Sequence, residues 1–268
     1  MYFNPRPPFA SATEAWLDAA RLLRDNGPTY GLILHVTKPM LITPTDDAVI
    51  SEVDQFLRAN KSFPIATVAN TIFPKQLYGT SGADALYERY RKIFPRIKHA
   101  VPDWGRYFER MINWPNGNEK PINQLDVLIE KLKASGPDGK IFRPNMFEVA
   151  LYDPARDRNK FRGRQCLSLL EFKPERTASG GVLHMTAIYR SHYYVAKALG
   201  NFIGLGQLLA FVAREAGLNG GSLTVHSTYA ELDRGITDAN KNAKAWGITE
   251  ARSLVDRCLV LSQQAAAA

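Results

Sequence analysis

Residues 160–172 read KFRGRQCLSLLEF, with basic side chains at Lys160, Arg162 and Arg164, then Cys166, then an apolar run. A run this short, rich in leucine and closed by an aromatic, predicts a β-strand over 166–172. If it is a strand, its neighbours make the second half of the chain mostly sheet. MFEVALYD (146–153), VLHMTAIYR (182–190) and SLTVHSTYAEL (222–232) have the same character. Short polar connections holding Pro154, Pro174 and the Gly180-Gly181 pair separate the first three runs. Before the last lies VAKALGNFIGLGQLLAFVAREAGL (195–218), apolar at helical spacing and closed by Gly217. A helix apolar on most of its surface belongs in a core.

The first half reads differently. ATEAWLDAARLLRD (12–25) has helical periodicity and stops at an Asn-Gly pair, and YGLILHV (30–36) reads as a strand. In TPTDDAVISEVDQFLRAN (43–60), Thr45 or Asp46 offers a cap to a helical pattern. Residues 82–93, 122–134 and 247–264 also read as helices, and WPNGNEKP and SGPDGK as loops. No linker or internal repeat divides the chain. The expectation is one α+β domain over 1–268, its N-terminal helices packed on a sheet drawn mainly from the second half.

The 268 residues suffice to bury a sizeable core, and 45% apolar with 22% charged residues is ordinary for a soluble domain. Lys and Arg number 34 against 26 Asp and Glu, a net charge of +8, which favours anionic partners such as phosphates. Two cysteines exclude a disulfide framework and agree with a reducing compartment. The N-terminus lacks the pattern of a signal peptide and no run approaches about 18 apolar residues. A cytoplasmic protein without a membrane span is expected. RYRKIFPRIKH (89–99) interleaves aromatic and basic residues, so a nucleic-acid surface stands beside the simpler reading of a solvated helix face.

Chemistry concentrates in the second half. Cationic neighbours stabilise a thiolate, and a strand would put Arg164 and Cys166 on one face. Either Cys166 is a nucleophile or it is a packing residue beside surface arginines. Cys258, on the apolar side of the last helix, reads as packing. Arg190 and Ser191, in YRSHYY, pair a guanidinium fork with a hydroxyl, which suits phosphate oxygens or a plain strand end. Asn201, inside the apolar helix, needs partners; a protein group or the edge of a nucleobase would serve. His226 is a lone histidine in a strand. No cluster has metal-ligand spacing, and GLGQLL lies within a helix, so neither a metal site nor a dinucleotide loop is proposed.

Taken in order, these pieces resemble the thymidylate synthase family over about residues 147–230. VALYDP is similar to the family's first core strand, RQCLSLLEF to its nucleophile strand and IYRS to its phosphate motif. ALGNFIGLGQLLAFVA is similar to the asparagine helix and VHSTY to the sugar-contacting strand; DNGPTYG (25–31) more faintly resembles an early phosphate loop. The resemblance implies a thymidylate synthase-like mixed sheet with packed helices. It implies that Cys166 adds to C6 of a pyrimidine nucleoside monophosphate, enabling methylation or hydroxymethylation at C5. Arg190 and Ser191 would hold the phosphate, Asn201 would read the base, and His226 with Tyr229 would contact the sugar. The cofactor implied is 5,10-methylenetetrahydrofolate. The assembly implied is a homodimer whose phosphate sites exchange an arginine, here Arg143.

The sequence departs from the family where His192-Tyr193 follow Arg190-Ser191 in place of an aspartate-containing pair. Gln165 and Leu167 flank Cys166 instead of proline and histidine, Asn70 stands where a catalytic glutamate is expected, and the last motif is H-x-x-Y. These differences fall mostly on the folate side. The alternative is therefore a pyrimidine-nucleotide-binding protein on the same scaffold without one-carbon transfer.

Overall fold

The strand read at 166–172 is β4, Leu167–Thr177, in a computed structural model that describes residues 4–97, 106–135, 145–159, 165–178, 180–235 and 245–266. It continues through Pro174 because β3, Glu148–Ala150, pairs only as far as Glu171. Beyond that point one side of β4 has no partner among the described residues, where the missing proline N–H costs nothing. The remaining strands are β1 (Asn4–Pro5), β2 (Thr29–Val36), β5 (Gly180–Tyr189), β6 (His192–Tyr193) and β7 (Asn219–Glu231). Their order is β1-β2-β7-β5-β4-β3, with β6 added beside β7. β5 and β7 are parallel, while β2–β7, β4–β5 and β3–β4 are antiparallel. The sheet is mixed, as expected. Parallel neighbours need a crossover, and the long apolar helix supplies it.

That helix starts as a π turn, Tyr194–Ala198, and continues as α8, Leu199–Glu215. Although Tyr194–Glu215 is long and apolar enough to cross a membrane, 78% of its apolar window is buried inside the protein. A π turn leaves a backbone carbonyl outside the regular ladder. Here the indole N–H of fully buried Trp16 donates to Tyr194 O at 2.7 Å. Trp16 sits in α1, Ala12–Asn26, whose start is a capping box between Ser11 and Glu14. α2, Pro44–Ala59, begins two or three residues earlier than read: Thr43 caps it, with Asp46 as the reciprocal partner and Pro44 in the first turn. Ser11 Oγ also donates to Asp46 Oδ1 at 2.8 Å, tying the two helix starts together.

Three helices were not read from the sequence: α3 (Ile65–Ile72), α5 (Tyr107–Ile112) and α7 (Pro154–Asp157). The helices expected at 82–93, 122–134 and 247–264 are α4 (Gly82–Ile97), α6 (Gln124–Ala134) and α9 (Ile248–Ala266). In α4, Tyr90 is buried and stacks on Phe94, with its edge to Phe108 at 4.8 Å. The aromatics of the basic stretch thus serve the core, and its Lys98 and His99 lie outside the described residues.

The helices pack on one face of the sheet. Leu183, Met185, Ala187 and Tyr189 of β5 and Leu223, Val225 and Ser227 of β7 are buried there, in one continuous core. The alternating residues, among them Thr186, Ile188, Thr224 and His226, are half-buried on the opposite face. α8 meets α3 closely through Gly200 and Gly204; a Cβ at Gly204 would lie 2.7 Å from Ala69 O. Gly204→Ala is accordingly expected to lower unfolding stability by about 1–3 kcal/mol, read as a reduced urea midpoint at constant slope.

Candidate active site

The topology delivers four strand ends to one edge of the sheet. β4 begins just after Cys166, β5 ends just before Arg190, β7 ends at Glu231 and β2 begins at Thr29. Leu167 pairs with Tyr189, Tyr189 with Ser227, Tyr30 with Tyr229, and Tyr193 with Glu231. The chemistry-bearing residues therefore meet through register rather than through sequence proximity.

Cys166 is half-buried. Its carbonyl accepts the Arg190 backbone N–H at 3.0 Å, and Arg190 Nε donates to Gln165 O at 3.0 Å. These bonds bring Arg190 Nη2 to 4.0 Å from Cys166 Sγ. A guanidinium there stabilises a thiolate relative to a thiol. The other basic residues cited from sequence, Lys160, Arg162 and Arg164, lie outside the described residues, as does Arg143. Arg190 O in turn accepts from Thr228 Oγ1 at 2.9 Å, fixing the turn that carries half-buried Ser191.

Tyr107, which the sequence reading passed over, anchors the cysteine from behind. Its hydroxyl accepts the backbone N–H groups of Cys166 and Leu167 at 3.3 and 3.4 Å. Burial raises the phenol well above its usual range, so it stays protonated. α5 holds it in place through a buried ion pair: Arg110 Nη1 and Nη2 meet the two Asp157 oxygens at 2.6 and 2.8 Å, and Nη1 also donates to Leu151 O. Burial alone would raise the Asp157 carboxyl, but the hydrogen bonds from Arg110 and from Asp153 N–H outweigh it and hold the group below the ordinary carboxylate range. Gln124 adds bonds from its amide N–H to Arg110 O and Ala150 O, both 3.0 Å.

At the front stand Tyr193, Tyr229, Tyr30 and Glu231. Tyr229 Oη donates to Glu231 Oε2 at 3.4 Å and its ring lies 5.4 Å from Tyr30. Burial first, then the charge of Glu231, raises both Tyr193 and Tyr229. Cys166 and Arg190 also act on Tyr193, so its phenol shares their electrostatic environment. Tyr30 closes DNGPTYG, bringing the end of that segment to this edge.

Asn201 is buried, 3% exposed, and Nδ2 donates to His192 Nε2 at 3.0 Å. His226 does not join the group that Tyr229 joins. With period two along β7, Tyr229 shares a face with Ser227, whereas His226 is half-buried on the opposite face, paired with Ile33 and Ile188. The residue two before Tyr229 is Ser227, and it bonds His192 Nδ1 at 2.9 Å. Asn70 is half-buried on α3. Cys258 is fully buried in α9, and burial pushes its thiol up to about 12. Among the described residues, no group of three or more His, Cys, Asp and Glu side chains could hold a metal ion.

A mixed sheet that sets a cysteine against an arginine at its open end, with phenols and a carboxylate around them, is an arrangement for nucleophilic chemistry on an anionic substrate. Comparison with known proteins supports the likeness. Proteins named "Putative thymidylate synthase" from Methanocaldococcus jannaschii, Methanosarcina barkeri and Methanosarcina acetivorans are 30%, 28% and 29% identical over 131, 126 and 145 residues. These stretches cover 48%, 47% and 54% of this chain and 55%, 51% and 60% of theirs, so the chain spans about half the length of the curated relatives it matches. No family model matches it. The resemblance read from the sequence is borne out to this extent: these relatives support a divergent thymidylate synthase-like family.

Proposed function

We propose that the chain is a one-carbon transferase acting at C5 of a pyrimidine nucleoside monophosphate, by methylation or hydroxymethylation, through a Cys166 adduct. The observation that carries this reading is the 4.0 Å approach of Arg190 Nη2 to Cys166 Sγ. It sets a cation beside both the nucleophile and the place for a substrate anion. Arg190 and Ser191 bind the phosphate, Asn201 meets the base and Tyr229 meets the sugar. The reading includes a homodimer, with Arg143 as the candidate arginine exchanged between phosphate sites.

In the first step the Cys166 thiolate forms an S–C6 bond, and the C5–C6 π pair moves through C4 onto O4. C5 becomes an enolate carbon that takes an electrophile. Loss of the C5 proton and departure of the donor's carrier amine leave an exocyclic methylene at C5. Addition of water there, for hydroxymethylation, or of a hydride that the folate would supply on leaving oxidised, for methylation, restores the C5–C6 double bond as the thiolate is expelled. The residues at the mouth fit 5,10-methylenetetrahydrofolate as the donor. A pterin carries adjacent N–H donors that the Glu231 carboxylate can accept, and Tyr193 and Tyr30 offer exposed ring faces. Bound there, the folate would supply the one-carbon unit.

His192-Tyr193, in place of the family's aspartate-containing pair, and Asn70, in place of its glutamate, favour one competing reading: nucleotide binding without transfer. Incubation with pyrimidine monophosphates in deuterated water separates the two by mass spectrometry. Exchange of the C5 hydrogen is expected even without folate, because solvent can protonate the enolate carbon. Binding without exchange would leave only the second reading.

A further inference from the structure

A cavity of about 220 Å³ lies between α4 and α5 and takes no part in the steps above. Tyr90, Phe94 and Ile112 give it apolar lining, and the Tyr90 and Phe94 rings are stacked with centroids 5.7 Å apart. A cavity of about 150 Å³ admits a benzene ring, so this one has room for a bicyclic heterocycle. Glu109 brings a charge to the same lining although it is only 8% exposed. Asn113 Nδ2 donates to its Oε1 at 3.1 Å, and Arg156 Nη1 stands 3.8 Å from its Oε2. Arg91, also in the lining, is exposed and reaches from α4 to α5, where Nη2 donates to Ile112 O at 3.4 Å.

These groups narrow the ligand. The stacked rings suit a flat body. A carboxylate accepts up to about four hydrogen bonds and takes N–H donors best in parallel pairs, one to each oxygen. Arg91 and Arg156 oppose a plain cation, and the several N–H donors of Arg91 suit an anion. A planar heterocycle with a ring N–H beside an amino group, and with an anionic tail, meets all three demands. Guanine nucleotides and pterin carboxylates share that pattern.

The lining also belongs to the helix that anchors the cysteine. Glu109 and Ile112 share the six residues of α5 with Tyr107, whose hydroxyl holds the Cys166 and Leu167 N–H groups, and with Arg110, fixed to Asp157. We propose that the cavity is a regulatory site for such a heterocycle. A ligand seated between α4 and α5 clamps α5 and, through Tyr107, restrains the Cys166 turn. The inference goes beyond the reading of Cys166 as a nucleophile and does not rest on it.

Calorimetric titration of the full chain with GMP and with pterin-6-carboxylate is the test. Binding of GMP names a purine nucleotide as the ligand, and binding of the pterin alone names a pterin. AMP, whose ring sets an amino group beside a bare nitrogen, should bind at least about tenfold more weakly than GMP. Glu109→Gln should weaken the bound probe at least about tenfold. Arg91→Gln, at an exposed position, should erase the preference for the probe over its uncharged counterpart, guanosine or pterin. Arg190→Gln, at the sheet edge, should leave the affinity within about threefold. Coupling is read without any substrate, as the rate at which iodoacetamide alkylates Cys166, since Cys258 is fully buried. That rate should fall about fivefold or more with the probe at saturation and stay unchanged with AMP at the same concentration. Failure of both probes to bind, or binding that is lost in Arg190→Gln and kept in Glu109→Gln, overturns the site. An alkylation rate unmoved by the bound probe overturns the regulation.

Discussion

Cys166→Ser should reduce exchange of the pyrimidine C5 hydrogen by on the order of 10³-fold or more, while nucleotide affinity changes by less than about threefold. The hydroxyl fills the same space beside Arg190 and Tyr107 but is a far weaker nucleophile at neutral pH, so the S–C6 step is lost and the binding groups stay. The split between turnover and binding carries the information. A loss of both together would mean that the substitution disturbed the Arg190 turn, whose backbone is bonded to Cys166 O. Exchange undiminished in the serine variant would remove the thiol from the chemistry and leave Cys166 as a packing residue. Isotope exchange followed by mass spectrometry, with the affinity read in parallel, distinguishes these cases.

The second large effect is on stability. Asp157→Ala leaves the Arg110 guanidinium, 0% exposed, without its carboxylate and should cost about 3–5 kcal/mol in unfolding stability. Asp157→Asn should cost less, because a neutral acceptor survives. The pH dependence has a definite sign. Since the folded Asp157 is held below its unfolded value, its contribution is complete above about pH 4 and is lost as pH falls through the folded value. The alanine variant should therefore show a shallower loss of stability in acid than the native chain, measurable by urea titration from neutral pH downward. If the two chains lose stability in parallel, the pair does not carry the acid sensitivity. Because Arg110 shares α5 with Tyr107, exchange at C5 should also fall in Asp157→Ala under conditions where it is still folded.

Much of this architecture was legible because strands and long helices announce themselves by period. β4, β5, β7 and α8 were each read within a few residues. The helices that went unread lack a start signal. Pro64 before α3 and Arg106 before α5 provide no side-chain cap, and α7 is four residues long. α2 was placed two or three residues late because Thr45 or Asp46 was read as its cap; Asp46 is the reciprocal partner of Thr43. At the site, Cys166 and Arg190 were legible as a pair, whereas Tyr107, 59 residues before Cys166, was not, since its contact depends on how α5 docks. His226 shows the cost of a one-residue offset in a strand. H-x-x-Y cannot put both side chains on one face, and Ser227 occupies the place that H-x-Y would give the histidine. His192, read as a departure from the family, proved to be the partner of Asn201.

Trp16 gives the molecule a built-in optical gauge. Its indole is fully enclosed and anchored to the carbonyl of the π turn that leads from His192 to Asn201, so its emission should be blue-shifted and sensitive to small displacements of that turn. Ligand occupancy can then be followed in the unlabelled chain by light alone.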